Sequence, residues 1–464
     1  MSFFGPRFKQ VIVSSPGQTS TEQEQESPAG PRRRNKSKFG CRECKAKRVK
    51  CDENYPICRR CQRQGIVCSS APRLTQWQVE TPWLSLQPNT LVNRRLLQYW
   101  LEKVSQNFVI DPENNPFSFP ALQYVSQSSA LLHAIQSISA SHERFFPADA
   151  PIIALEERGK AIACLRGEIS QSQCPSNAVF LSIMLLALAQ SADSDMKDYG
   201  KQHLLAARAF VNSMVQDTST LVTNDIRVRL CLGMYLYWDM CSSFLVDPWE
   251  PQGPNLFNIS NAVRMMGDWH HPMYGTCSEL LFIIANVGRY CRQILEPLQN
   301  RKLMQEAALE AQLTSWKTTP PNPSLGHLYE AFRKHGLIFL YRAHVAHTQS
   351  SYITDPDSSE AEESLIQQYA EETVCHLMQI PATSYYLNFQ SLPLLTAGSE
   401  LTTSNHFLRD QVRGRLRAIY SLNRLPANLL ALQLLEELWD ARDRGTPSFW
   451  LLHMLQKDWR LLLG

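Results

Sequence analysis

Six of the thirteen cysteines in this 464-residue chain fall within one stretch, "CRECKAKRVKCDENYPICRRCQRQGIVC", from Cys41 to Cys68. Cys41, Cys44 and Cys51 are separated by two and then six residues. After a six-residue link, Cys58, Cys61 and Cys68 repeat both gaps. Dense cysteine means either a disulfide framework in an oxidising compartment or a metal site in a reducing one. The N-terminal stretch "MSFFGPRFKQVIVSSPGQTS" is broken by Pro6, Arg7 and Lys9 where a secretory leader needs a continuous apolar run. The most apolar later run, Val179 to Ala189, is too short to span a bilayer. A soluble, intracellular chain is therefore expected, and the glycosylation-like triplets at Asn35 and Asn258 are chance matches. In a reducing compartment the thiols remain available, and two residues between cysteines let both sulfurs turn toward one ion. Six thiolates serve two four-coordinate zinc ions only if two sulfurs are shared, which points to a binuclear cluster. Its negative core calls for nearby cations.

Those cations are present. Between Pro31 and Cys68 there are thirteen Lys and Arg against three acids, Glu43, Asp52 and Glu53, whereas the whole chain carries only +3. The remainder is thus net acidic. A concentrated positive end on an acidic body is the footprint of a polyanion reader, because Lys and Arg displace counterions condensed on DNA. Duplex DNA is the expected partner. The competing reading is a zinc-stapled adaptor or co-regulator that contacts only proteins, since fold does not fix function.

The segment from Cys41 to Cys68 resembles the zinc binuclear cluster (Zn2Cys6) DNA-binding domain of fungal transcription factors. The likeness extends to the basic run before the third cysteine, Asp52 after it and Pro56 before the fourth. The resemblance implies that Cys41 and Cys58 bridge two zinc ions, Cys44 and Cys51 completing one and Cys61 and Cys68 the other. It implies that Pro56 shapes the link between halves, through a cis bond in some arrangements. It also implies that a short helix after Cys41 and the turn ending it enter the major groove, with Lys47 and Arg48 reaching a CGG-type triplet. Arginine pairs bidentately with guanine O6 and N7. Lys45, Lys50, Arg59 and Arg60 are assigned to phosphates, which fix register without reading sequence.

Residues 1–38 read as a disordered basic tail, rich in Ser, Thr, Gln, Glu, Pro and Gly. Within it "PRRRNKSK" suits nuclear import or an arm on phosphates. The cluster is assigned to 39–70 and a linker to 71–88, where Pro72, Pro82 and Pro88 interrupt any coiled coil. No dimerisation helix is expected there, which leaves a monomer or pairing through the larger domain.

From residue 89 to 464 the pattern is apolar-periodic with Pro- and Gly-bearing breaks, giving an all-α domain and a mainly α chain. "NRRLLQYWLEKVSQNF" puts Leu96, Leu97, Trp100, Leu101, Val104 and Phe108 on one stripe. Similar stripes span 129–141, 154–170, 178–190, 201–215, 228–245, 278–298, 328–347, 363–378 and 428–443, with Ser278 and Asn428 as N-caps. The pieces "LLQYWLEKVSQNF", "NPF", "ALLHAIQSISASH", "YGKQHLLAARAFV", "LPLLTAGSE" and "ALQLLEELWD" occur in the order of the fungal-specific transcription factor regulatory domain, which this region resembles. That resemblance implies a helical regulatory region that responds in some members to a small-molecule effector. A coactivator or corepressor is the protein partner such a region would take.

Enzymes are disfavoured, because no nucleophile elbow, phosphate-binding glycine loop, dinucleotide fingerprint or H-E-x-x-H pair occurs. His344 with His347 and His270 with His271 lack a fuller ligand set and read as surface or hydrogen-bonded histidines. Cys164, Cys174, Cys231, Cys241, Cys277, Cys291 and Cys375 share no tight spacing and read as buried small side chains, a redox sensor being the other reading. "YITDPDSSEAEESL", 352–365, carries five acids around Ser358 and Ser359, and reads as an exposed loop before the next helix, with phosphorylation or coactivator contact as the sharper alternative. The expected whole is a nuclear, zinc-dependent regulator of RNA polymerase II transcription, as an activator or a repressor.

Overall fold

The computed structural model describes residues 37–464 apart from 38, 72–91, 144–151, 172–175, 192–195, 217–224, 251–252, 296–300, 351–355 and 447. The tail and the linker thus lie almost wholly outside the described residues. Two short helices, α1 (Arg42–Ala46) and α2 (Arg59–Arg63), belong to the cysteine-rich segment. The larger region begins with α3 (Arg94–Glu102), α4 (Leu122–Val125), α5 (Ser129–Glu143), α6 (Ile152–Gln171) and α7 (Asn177–Ser191). It continues with α8 (Lys201–Met214), α9 (Ile226–Ser242), α10 (Leu256–Met266), α11 (Ser278–Leu295) and α12 (Leu303–Ser315). Next come α13 (Pro323–Ser350), α14 (Pro356–Gln379), α15 (Ser391–Glu400), α16 (His406–Asn423), α17 (Ala427–Asp443) and α18 (Trp450–Gln456). No strand occurs among the described residues, only an isolated antiparallel bridge between His271 and Gly275. The expected mainly-α class is what is found.

Each helix sits where its apolar pattern can be covered. "RRLLQYWLE" in α3 is capped by Asn93, whose side chain accepts from Leu96 N, and it buries Leu96, Leu97, Trp100 and Leu101 on one side. The indole Nε1 of Trp100 donates to the Phe117 carbonyl at 2.7 Å, so this large ring is buried without an orphan donor. α7, "NAVFLSIMLLALAQS", is apolar all round and is accordingly covered on every face, packing against α5, α6 and α8. α9, α11 and α13 pack side by side, α14 lies along α13, and α15 is buried between α13, α14 and α17. No described helix is long and apolar enough to cross a membrane.

One charged group lies at the centre of this packing. Glu400, at the end of α15 and inaccessible to solvent, meets Arg342 Nη2 at 2.5 Å and Arg442 Nη2 at 2.7 Å. Two guanidinium groups on one buried carboxylate offset the cost of taking it out of water. His335, another polar residue of the core, pairs through Nδ1 with Thr396 Oγ1 at 2.9 Å.

Several local expectations are corrected. Helix α14 starts at Pro356, so most of the acidic stretch expected as a loop is helical. Its Glu362 and Glu363 pair with His344 and Arg342 instead of lying unpartnered in solvent. Asn428 is no N-cap: it lies inside α17, buried, with Oδ1 accepting from Ser391 Oγ. Helices α10, α12, α15, α16 and α18 had no stripe assigned. Of these α16 matters most, because the cysteine-rich segment rests on it.

Candidate metal centre and nucleic-acid interface

Local sequence builds the two halves of the cluster alike. Cys41 caps α1 and accepts from Cys44 N at 3.4 Å; Cys58 caps α2 and accepts from Cys61 N at 3.4 Å. In both, a sulfur takes the place that Ser or Asp ordinarily takes at a helix start. The link between halves contains a cis Tyr55–Pro56 bond. Further amides point at sulfur, from Glu53 to Cys51 at 3.3 Å and from Cys58 to Cys68 at 3.4 Å. Such donors favour the thiolate form.

The six sulfurs fall into two groups of four, Cys41, Cys44, Cys51, Cys58 and Cys41, Cys58, Cys61, Cys68, each with all sulfurs within 4.8 Å of one another. Cys41 and Cys58 belong to both. Sulfur–sulfur separations of 3.7 Å (Cys44–Cys58) and 3.8 Å (Cys41–Cys51, Cys41–Cys58, Cys41–Cys61) match a tetrahedron with metal–sulfur bonds of about 2.3 Å, whose edge is about 3.8 Å. All six are buried and none forms a disulfide. Burial and neighbouring sulfurs push the Cys41 and Cys61 thiols well up and Cys44 to about 11, a penalty that a bound dication reverses. The residues present fit two zinc ions.

The acids of the segment accept hydrogen bonds from within it, whereas most of its bases are exposed. Asp52 accepts from Arg59 N at 3.1 and 3.3 Å, Glu43 from Ser69 N and Oγ at 2.9 and 2.8 Å, and Glu53 from Phe39 N at 3.1 Å. Lys45 lies on α1 and is exposed, as are Lys47, Arg48 and Lys50 in and after the turn that ends it. Arg48 takes a left-handed φ of 54°, which swings the chain so that Val49 N reaches Cys44 O at 3.0 Å. Lys47 Nζ bonds Gln64 Oε1 at 3.0 Å, tying the first half to the second. Arg59 is exposed, whereas Arg60 is half-buried with its Nε shielded from solvent.

The second half of the cluster rests on α16. Cys68 N donates to Ser421 Oγ at 3.0 Å, Arg417 Nη1 to Gly65 O at 3.0 Å and Arg424 Nη2 to Ser70 O at 3.2 Å. These three side chains had no assignment from sequence. The one signal was the density of Arg in "HFLRDQVRGRLRAIYSLNR", which equally describes a solvated helix face. The other candidates find ordinary roles. His271 is buried and stacked on Tyr274 at 4.4 Å, and Cys231, Cys241, Cys277 and Cys291 are buried, whereas Cys164 is half-buried and Cys375 exposed, against the expectation, and Cys174 lies outside the described residues. Among the described residues, the two thiol groups alone bring three or more His, Cys, Asp or Glu ligand atoms together.

Comparison with known families agrees with this geometry. The fungal-specific transcription factor domain matches residues 95–464. This chain belongs to that family. Residues 39–78 match the fungal Zn(2)-Cys(6) binuclear cluster domain, which accords with a two-zinc cofactor. The family is one of transcription factors, not of enzymes. Two relatives are similar over a short stretch. "Zn(2)-C6 fungal-type transcription factor afumD" from Aspergillus fumigatus is 58% identical over 40 residues, which is 8% of this chain and 11% of the relative. "Sterol uptake control protein 2" from Saccharomyces cerevisiae is 53% identical over 38 residues, 8% of this chain and 4% of the relative. The match therefore spans a small part of either relative. No solved structure matches the chain.

Proposed function

We propose that this family member is a nuclear, zinc-dependent, sequence-specific reader of duplex DNA that regulates RNA polymerase II transcription. The observation that carries the reading is the pair of four-sulfur groups sharing Cys41 and Cys58, with exposed Lys45, Lys47, Arg48 and Lys50 on the turn beside them. In this reading Cys41 and Cys58 bridge the ions, Cys44 and Cys51 complete one site, and Cys61 and Cys68 the other. Lys47 and Arg48 face a CGG-type triplet in the major groove, Arg48 bidentate to guanine. Lys45, Lys50, Arg59 and Arg60 hold phosphates. The chain divides into a tail at 1–38, the cluster at 39–70, a linker at 71–88 and a regulatory domain at 89–464, through which an effector and a coactivator or corepressor act.

The test is selection of bound duplexes from a randomised library by the full chain at a stated salt concentration, with zinc and after chelation. Enrichment of a CGG-type triplet that disappears on chelation supports the reading. Zinc-independent binding without enrichment would replace it with the protein-only adaptor.

A further inference from the structure

Ser37, four positions before the first cysteine, is held against the cluster. It is half-buried, and its Oγ accepts from Cys51 N at 3.4 Å. Gly40 makes the approach possible. A Cβ there would lie 2.6 Å from Ser37 Oγ and 2.8 Å from Cys51 Cβ, closer than real side chains come, so hydroxyl, glycine and metal ligand close directly on one another. Cys51 belongs to one four-thiol group only, that of Cys41, Cys44 and Cys58. Lys50, the residue before it, is exposed.

The sequence around Ser37 has a second property, independent of that contact. Arg32, Arg33 and Arg34 stand five, four and three positions before it, and Lys36 and Lys38 flank it. No other Ser or Thr in the chain has a Lys or Arg three positions ahead of it. Basic residues at fixed distances before a hydroxyl are what a protein kinase with an acidic substrate groove selects, because charge pattern decides between otherwise similar peptides. Nuclear import and an arm on phosphates both use the bases of "PRRRNKSK", and neither uses the hydroxyl of Ser37.

The effect of a phosphate follows from the packing. A phosphoserine carries about −1.5 to −2 charges near neutral pH, with three strong acceptor oxygens. The space that Gly40 leaves for a hydroxyl cannot take that group. The modified side chain must turn away, and Cys51 N loses its acceptor. The added charge also meets a core of six thiolates and two dications, which is itself negative, next to a turn whose exposed charge is positive.

We propose that Ser37 is a phosphorylation site for a basophilic protein kinase, and that its phosphate weakens both the zinc site completed by Cys51 and the hold of the basic turn on DNA. The kinase transfers the γ-phosphoryl group of MgATP: the bond from phosphorus to Ser37 Oγ forms as the bond to the ADP oxygen breaks, and the hydroxyl proton passes to the kinase's base. The effect on zinc does not depend on DNA reading, whereas the effect on DNA rests on the proposed function.

The experiment uses the zinc-loaded full chain, MgATP and two basophilic probes, the catalytic subunit of cyclic-AMP-dependent protein kinase and the catalytic domain of protein kinase B. Phosphate is located by peptide mass spectrometry, zinc release to a colorimetric chelator is timed, and binding to a duplex bearing the selected triplet is titrated. At least one probe should add a single phosphate per chain, at Ser37, and Ser37→Ala and Arg34→Ala should each cut incorporation at least tenfold. In the phosphorylated chain one zinc ion should leave at least threefold faster, and duplex affinity should fall at least tenfold. Kinase-treated Ser37→Ala should match its untreated counterpart in both readouts. Incorporation by neither probe, or mainly at another residue, overturns the site. With Ser37 phosphorylated, unchanged zinc release overturns its effect on the cluster, and unchanged affinity its effect on the turn. An unmodified chain that binds no duplex counts against the proposed function, and the phosphate and zinc readouts still decide the inference.

Discussion

Arg417 donates Nη1 to the carbonyl of Gly65 at 3.0 Å, joining α16 to the zinc cluster across 352 positions of sequence. With Ser421 on Cys68 N and Arg424 on Ser70 O, it makes the cluster part of the helical body. Lys45 on α1 and Lys47, Arg48 and Lys50 in and after its turn stay exposed.

The seat should be measurable. Hydrogen bonds from charged groups contribute about 1.5–3 kcal/mol and neutral ones about 1 kcal/mol. Arg417→Ala with Ser421→Ala should speed hydrogen exchange at the amides of 65–70 by tenfold or more while leaving the helical signal of the chain intact. Unchanged exchange there would mean that the contact does not hold the cluster in solution.

Shared and unshared thiols should differ in zinc stoichiometry. Cys58→Ala removes a sulfur common to both four-thiol groups, so elemental analysis should find neither ion retained in full. Cys51→Ala leaves the group of Cys41, Cys58, Cys61 and Cys68 complete and should retain about one ion per chain. Identical losses in the two variants would contradict the sharing.

Glu400 sets up a stability prediction. Removing its charge leaves Arg342 and Arg442 facing a buried neutral group, and breaking a buried ion pair from one side costs about 3–5 kcal/mol. Glu400→Gln should lower the urea midpoint accordingly while the zinc content stays unchanged. A shift equivalent to under about 1 kcal/mol would show that the network contributes little.

Acid should unfold the helical domain before its carboxylates titrate. His142, His271 and His335 are fully buried, and desolvation pushes each imidazole down to about 3, with Arg424 adding to the effect at His142. Each is neutral when folded but gains a proton near pH 6.5 when unfolded, so the unfolded state binds more protons and stability falls as pH falls. Between pH 6.5 and 5.5 the loss is about 1 kcal/mol for each histidine, or about 3 kcal/mol together. Urea midpoints at the two values check this. A His335→Asn variant should lose about a third of the slope.

The proposed DNA contacts should divide by role. Arg48→Ala should relax preference for the selected triplet, whereas Arg59→Ala should weaken specific and scrambled duplexes alike and lower the salt slope by about 1. Equal losses on both duplexes for both variants would remove the distinction between reading and holding.

The cluster was legible in the sequence because metal binding depends on residue type and spacing. Two-residue and six-residue gaps bring sulfurs together through local turns, and Cys41 to Cys68 contain every ligand needed. Apolar periodicity likewise disclosed the long helices, including α5, α8 and α11, because one face of each must be covered. What escaped depends on partners distant in sequence. Asn428 looks like a cap, yet it lies inside α17 with its side chain accepting from Ser391 on α15. The acids at 362 and 363 look like solvated loop residues until His344 and Arg342 are brought beside them. The Arg-rich stretch of α16 looks like any exposed helix face, and only packing turns Arg417, Ser421 and Arg424 toward the cluster. Local spacing sufficed for the metal centre because its bonds close within one short segment. The seat and the buried charges were decided by tertiary structure, because each takes groups from helices that only the assembled core brings together.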